Sequence, residues 1–184
     1  MKKIIAIIFL AVIALFTVAC GEEQQQEKEY TVAYINEHLD ASRYQKLEYS
    51  KEITFDSVLL LEVKLTSELK DSEYTNVTVT KKLADITSNE QYEETTEETK
   101  SKNIENPISL KLDESYFQTV TINEKSLSGV VHQEKVKDVI NVEAASDLEI
   151  KVTLSDDLKV KTIEIKYVDT LSGYQVSMKA NYTF

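Results

Sequence analysis

Glycine and proline are nearly missing from this 184-residue chain: Gly21, Gly129, Gly173 and Pro107 are all it has. Phosphate loops, dinucleotide-binding turns and nucleophile elbows use glycine for close backbone approach or positive φ. None can be assembled from these positions, which argues against a nucleotide-dependent enzyme. Tryptophan is absent too, and with it the aromatic platforms that glycosidases of this size carry. Only two histidines occur, His38 and His132. Neither has a second histidine or a carboxylate at a metal-binding spacing such as HExxH. The serines nearest to them in sequence, Ser42 and Ser128, gain no base from that proximity alone. No catalytic residue, metal ligand or cofactor site is expected, and the chain reads as a non-enzyme. Basic residues are also in deficit, with 21 Lys and Arg against 32 Asp and Glu, a net charge of −11. Such a surface repels nucleic acid and anionic headgroups.

A single long apolar run is present, and it lies at the start. Lys2 and Lys3 precede the uncharged segment Ile4–Ala19, which ends at Cys20, the sole cysteine. As a helix, that run would reach about 24 Å at 1.5 Å per residue, short of a hydrocarbon core of about 30 Å. A basic start, a short apolar stretch and small residues before a cut are the marks of a signal peptide. The segment Thr17-Val18-Ala19-Cys20-Gly21 resembles the lipobox of bacterial lipoproteins. The resemblance implies a diacylglyceryl group on Cys20, removal of residues 1–19, and a membrane as the protein's first partner. Two acyl chains hold far more firmly than one, at about 0.8 kcal/mol per buried methylene. Residues 21–29 (GEEQQQEKE) hold no large apolar side chain and read as a flexible tether. Loss of the leader leaves 165 residues with 19 basic and 32 acidic side chains, a net of −13. Residues 30–184 suffice for one domain with a core.

Within that domain, apolar residues recur mostly every second position. Val32, Ile35 and Leu39 are the exception, and their spacing predicts a helix over about residues 28–43. From Ile53 to Leu65 the odd positions are apolar with one exception, predicting a single long strand; Tyr74 to Leu83 returns after a turn at Lys70-Asp71-Ser72. Residues 90–102 carry Glu90, Glu93, Glu94, Glu97 and Glu98. They lack the Asp/Asn-rich, glycine-turned spacing of calcium loops, so a solvated edge strand is the better reading. Ile108, Leu110 and Leu112 alternate again, and Phe117–Ile122 and Leu127–Val131 flank a turn. Residues 133–142 fit a short helix through Val136, Val139 and Ile140, a strand or a loop. The last 40 residues divide into three strands, with a bulge expected near Thr162.

Consecutive strands with short polar turns imply an antiparallel sheet. The expected fold is mainly β (α+β): a curved antiparallel sheet or half-barrel with one N-terminal helix packed on or near it. The leader, the lipidated cysteine, the tether, the helix and the long strands look like those of small Gram-positive lipoproteins. The ending LKVKTIEIKYVDTLSGYQVSMKANYTF is similar to the closing hairpin of the LolA/LppX-like half-barrel lipoproteins. That resemblance implies a sheet wrapped around an apolar cavity that carries lipid or acyl chains. Phe55, Leu59, Leu61 and Val63 would then line the cavity; otherwise the same side chains pack a filled core.

Two functions stay open. One is a membrane-tethered, extracytoplasmic binding module that carries lipid or another apolar ligand. The other is a cell-surface accessory protein with a packed core, an interaction partner and no small-molecule ligand. The expected address is the outer side of the cell membrane, with a Gram-positive surface preferred to a periplasm. An apolar cavity of several hundred Å3 beneath the sheet would favour the carrier.

Overall fold

The computed structural model describes residues 30–41, 43–84, 91–104 and 106–184. Cys20, the tether, Ser42 and Glu90 lie outside the described residues. Those described form one antiparallel sheet of nine strands: β1 (Lys46–Phe55), β2 (Val58–Lys70), β3 (Glu73–Leu83), β4 (Tyr92–Ser101), β5 (Phe117–Asn123), β6 (Ser126–Val131), β7 (Leu148–Leu154), β8 (Val160–Val168) and β9 (Gln175–Thr183). Two short helices accompany them, α1 (Val32–Glu37) and α2 (Val136–Ile140). The sheet is mainly β and open, as expected, and its strand order is β4-β3-β2-β1-β9-β8-β7-β6-β5. Each half is a meander, β1 to β4 and β5 to β9. They join where the first strand pairs with the last, from Lys46↔Thr183 to Thr54↔Gln175.

The expected single strand over residues 53–65 is a hairpin. Asp56 and Ser57 turn the chain with φ of 47° and 67°, the left-handed pair that a two-residue hairpin needs and that short polar residues tolerate. A two-residue turn sets Phe55 opposite Val58 and so reverses odd and even. The register then shifts between Ile53 and Thr54, leaving Leu60 as an extra residue, and Ile53 faces Leu61. The bulge undoes the parity change made by the turn. An alternation belonging to two strands therefore reads as one. Further along, Thr153 faces Thr162 while Leu154 faces Val160, so the expected bulge sits at Lys161.

Strand order also dictates the connection from β4 to β5, because these strands are opposite edges of the sheet. Crossing eight inter-strand gaps covers about 38 Å if the sheet were flat. The fifteen residues between Ser101 and Phe117 reach about 50 Å at most. The connection is thus a strap across one face of the sheet, ending in a 3-10 turn at Glu114–Tyr116. Ile108 and Leu112 are buried by it. The alternation at Ile108, Leu110 and Leu112 does not form a ladder strand. Its backbone bonds go elsewhere: Lys111 N donates to Val139 O of α2, and Asn36 of α1 pairs with Leu112 at both backbone groups, Nδ2 to O at 2.5 Å and N to Oδ1 at 3.3 Å.

Helix α1 is shorter than its apolar spacing predicts. Thr31 Oγ1 caps it by accepting from Tyr34 N. At the far end His38 Nδ1 lies 2.7 Å from Tyr34 O; a carbonyl only accepts, so the ring donates and closes the helix. Val32 and Ile35 are buried against the sheet. Residues 133–142, left open among helix, strand and loop, contain α2, which buries Val136 and Val139. Strap and helices cover the face formed by β6 to β9, where Leu127, Val131, Leu148, Ile150, Val152, Ile163, Ile165, Val176 and Ala180 are all buried.

At the end of the sheet where β1 begins, Tyr44 is fully buried between Tyr74 and Tyr182, with ring centroids 5.0 Å and 5.9 Å away. Tyr44 OH donates to Ser67 Oγ, Tyr74 OH to Tyr44 O, and Tyr182 OH to Asn106 Oδ1 of the strap. These hydroxyls are bonded inside the protein, as buried phenols require.

Gly129 of β6 stands where β5 is bulged between Phe117 and Thr119. A Cβ there would lie 2.6 Å from Thr119 O and 2.8 Å from the Phe117 ring, so β5 must move to admit it. Gly129→Ala is expected to destabilise the fold by about 1–3 kcal/mol, as overpacking does, measured by urea denaturation. An unchanged midpoint would contradict the close approach of β5.

Candidate functional site: an uncovered apolar sheet face

The face covered by the strap continues onto β1–β4, where its cover runs out. In register, its rows are Leu47–Ser67–Asn76–Thr99, Tyr49–Leu65–Thr78–Glu97, Lys51–Val63–Thr80–Thr95 and Ile53–Leu61–Lys82–Glu93. Only the first row is buried through β1, β2 and β3, beneath the tyrosine cluster. Asn76 in that row is 3% exposed, and neither amide atom has a hydrogen-bond partner among the described residues. Beyond it, Tyr49, Ile53, Leu61, Val63 and Leu65 are only partly buried. The apolar lane ends at two neighbouring hairpin tips. Phe55 is 49% exposed, Val58 40% and Leu171 97%. The Phe55 and Tyr174 rings, from the two tips, lie 5.4 Å apart. Isolated exposed apolar residues are ordinary, but a contiguous run of them is a mark of a binding surface.

Of the four side chains expected to share one apolar face, Phe55, Leu61 and Val63 do so. Leu59 pairs with Thr54 and so points to the opposite face. The recesses of the surface are lined by other residues. Beneath the sheet, Pro107, Ile108, Ile140, Val142, Ile165 and Met178 bound an apolar recess of about 90 Å3. A depression of about 390 Å3 on the outer face of β5–β8 is lined by Thr119, Thr121, Ser128, Glu149, Lys151 and Lys166 among others. It is open, and Glu164 beside it pairs with Lys179 at 2.7 Å, which holds that carboxyl below its usual pKa. A third, of about 360 Å3, contains His132, Glu134, Lys137, Glu143 and Asp147. Its polar groups hold the β6–β7 loop: Asp147 accepts from Gln133 N, Gln133 Nε2 donates to Ala144 O, and Lys137 pairs with Glu143.

Among the described residues, no group of three or more His, Cys, Asp or Glu side chains is placed to hold a metal. No helix among them is long and apolar enough to cross a membrane. His38 is engaged at the end of α1, its ring 4.7 Å from that of Tyr34, while His132 is exposed.

Charge is distributed unevenly around the apolar lane. Seven ion pairs link described lysines to carboxylates. None uses Glu93, Glu94, Glu97 or Glu98, all exposed on edge strand β4. Lys82 stands opposite Glu93. Lys51 and the Ser172 donors together keep the Asp169 carboxyl below its usual range, the Ser172 bonds contributing most. Sequence spacing marked β4 as an acidic edge and the Ile53–Leu65 segment as apolar. The link between the apolar lane and the Leu171 tip was hidden, because β1 and β9 are more than 100 residues apart in the chain.

Compared with protein-family models, with curated proteins and with solved structures, the chain matches none of them.

Burial pushes the Tyr49 phenol up to about 12, with Tyr167 adding to the shift. Tyr167 and Tyr182 are raised for the same reason, helped by Asp169 and Tyr44 respectively. A phenol free in the unfolded chain ionises near 10, so the folded state prefers the neutral form. This stabilisation is complete below pH about 10 and is lost as pH climbs through about 12. The urea midpoint is therefore expected to fall across that window, and Tyr49→Phe to fall less steeply. Equal slopes for the two proteins would contradict the burial of Tyr49.

Proposed function

We propose that the chain is a lipid-anchored, extracytoplasmic interaction protein without catalytic activity, held by Cys20 on the outer side of a cell membrane, and that it works by docking a partner. The lipobox-like segment and its polar tether support the address. The absence of a basic surface supports standoff from anionic headgroups and nucleic acid, and the same composition favours a Gram-positive surface.

The observation that carries the reading is where the apolar surface lies. A carrier of acyl chains needs an enclosed apolar volume of about 300–1,000 Å3. The apolar recess beneath this sheet holds about 90 Å3, because the strap and both helices occupy the space above β6–β9. On the same face, β1 and β2 carry an open apolar lane reached from outside. That arrangement favours the interaction reading over the carrier.

Mass spectrometry of the mature chain purified from its membrane tests both parts. Under denaturing conditions the expected mass begins at a diacylglyceryl-modified Cys20, and under native conditions no further acyl species is bound. An intact leader would overturn the address. Co-purifying lipid lost only on denaturation would overturn the docking reading in favour of the carrier.

A further inference from the structure

The open lane has dimensions and a charged border that narrow the kind of partner it accepts. From Val58 to Leu65 along β2 the lane runs about 20 Å at 3.4 Å per residue, less the bulge. That is the length of about 13–14 residues of α-helix at 1.5 Å each. The distance across from β2 to β4 is two strand spacings, about 10 Å, close to the diameter of a helix with its side chains. Between them β3 presents Thr78, Thr80 and Lys82 to this face; the two threonines are short and leave the floor low, and Lys82 stands at the tip end opposite Glu93. On one side of a helix laid along β2 are Ile53, Leu61, Val63 and the Phe55–Tyr174 tip, with Lys51 between Tyr49 and Ile53 on β1. On its other side are Glu93 and Glu97, with Glu94 and Glu98 around the open edge.

We infer that this face docks a basic amphipathic helix of a partner protein, with its apolar stripe on β1–β2 and its Lys or Arg flank over the glutamates of β4. The inference rests on the interaction reading above and names the partner's chemistry. Three observations converge on it. The apolar lane is continuous with the exposed tip at Phe55 and Val58, where the Phe55 ring meets that of Tyr174. The four β4 glutamates take part in none of the ion pairs among the described residues, although lysines elsewhere pair freely. A second copy of this chain is a poor occupant, since antiparallel pairing of β4 with itself sets Glu against Glu in several registers and each copy carries a large negative charge. A helix that brings cations fits both lanes at once, in the manner of helix-in-groove recognition.

The test uses the full chain in phosphatidylcholine nanodiscs and a synthetic helix as probe. The probe is a capped peptide of about 14 residues made of leucine, alanine and lysine, with leucines at i, i+3, i+4 and i+7 and lysines on one flank. Two controls are a scrambled peptide of the same composition and one with glutamate in place of lysine. Fluorescence anisotropy is expected to show saturable binding of the probe, at least about tenfold weaker binding of both controls, and weakening with added salt. Glu93→Gln with Glu97→Gln should lower affinity about threefold to tenfold and reduce the salt dependence. Leu61→Ser should lower it about tenfold; Val58→Ser, at an exposed tip, is the companion variant should Leu61→Ser fail to fold. Hydroxyl-radical footprinting is expected to show protection of Phe55, Val58 and Leu61 by the probe.

Equal binding of the scrambled peptide, or affinity unchanged in both sets of variants, would reduce the effect to general charge attraction and overturn the inference. So would absence of binding, protection confined to the outer face, or protection of the lane by the bilayer with no peptide added, which would make the membrane itself the occupant. A clean native mass together with failed peptide binding rejects only the partner's chemistry. Co-purifying lipid rejects the interaction reading.

Discussion

The pairing of β1 with β9 is the constraint on which the rest of this molecule depends. It joins two meanders that would otherwise be separate sheets, and it does so with nine residue pairs in unbroken register. Tyr44 lies at the lower end of that seam, and the tyrosines around it draw in every part that must meet there. Tyr74 brings β3, Tyr182 brings β9 and, through Asn106, the strap. Ser67 satisfies the Tyr44 hydroxyl inside the core. Buried phenols of this kind contribute large apolar area and one directional bond each, so they fix the register of the seam as well as adding stability.

Joining first strand to last has a geometric consequence. It pushes β4 and β5 to opposite edges, and the chain between them must cross the whole sheet. The strap that results leaves β4 at the tyrosine end of the sheet, reaches β9 at Asn106 and from there lies with the two helices over β6–β9. The core is therefore one-sided. Apolar residues on β7, β8 and β9 are sealed, while the equivalent positions on β1 and β2 keep partial contact with solvent. Antiparallel sheets commonly leave one face to water, but the uncovered part of this sheet is apolar and belongs to the same face as the core. The opposite face of β1 and β2 carries the Glu48, Glu62, Lys64 and Glu68 pairs that solvation calls for. An apolar lane left open beside an acidic edge is the feature that the functional proposal uses.

Much of this fold was legible in the order of the residues. Leu148–Leu154, Ile163–Tyr167 and Val176–Tyr182 alternate cleanly because each is covered on one face only, and β7, β8 and β9 stand where the pattern places them. β4 was legible as an edge because charges on both faces leave nothing to bury. The β1–β2 hairpin was not, since a two-residue turn and a single bulge cancel in parity and hide the reversal. The strap was hidden for a different reason. Ile108 and Leu112 bury like strand residues, yet the backbone beside them bonds to a side-chain amide on α1 at Leu112 and to a helix carbonyl on α2 at Lys111, neither of which leaves a periodic trace. Of the apolar set Phe55, Leu59, Leu61 and Val63, the two-residue turn sends Leu59 to the other side, and the bulge at Leu60 returns only Leu61 and Val63 to the face of Phe55. Tyr174 came to lie against Phe55 only through a pairing between distant segments, which no local pattern encodes.

If the β1–β9 seam unites the sheet, it should also unite its stability, because strands that share a register open together. Native-state hydrogen exchange reads this residue by residue. The amides of Ser50, Glu52, Ser177 and Lys179, which face across the seam, are expected to exchange with the same free energy as those of Ile150 and Ile165 deep in β7 and β8. Exchange of the β1 amides in a separate, faster class while β7–β9 stay protected would show two independent sheets resting against each other, and would contradict a seam that makes them one.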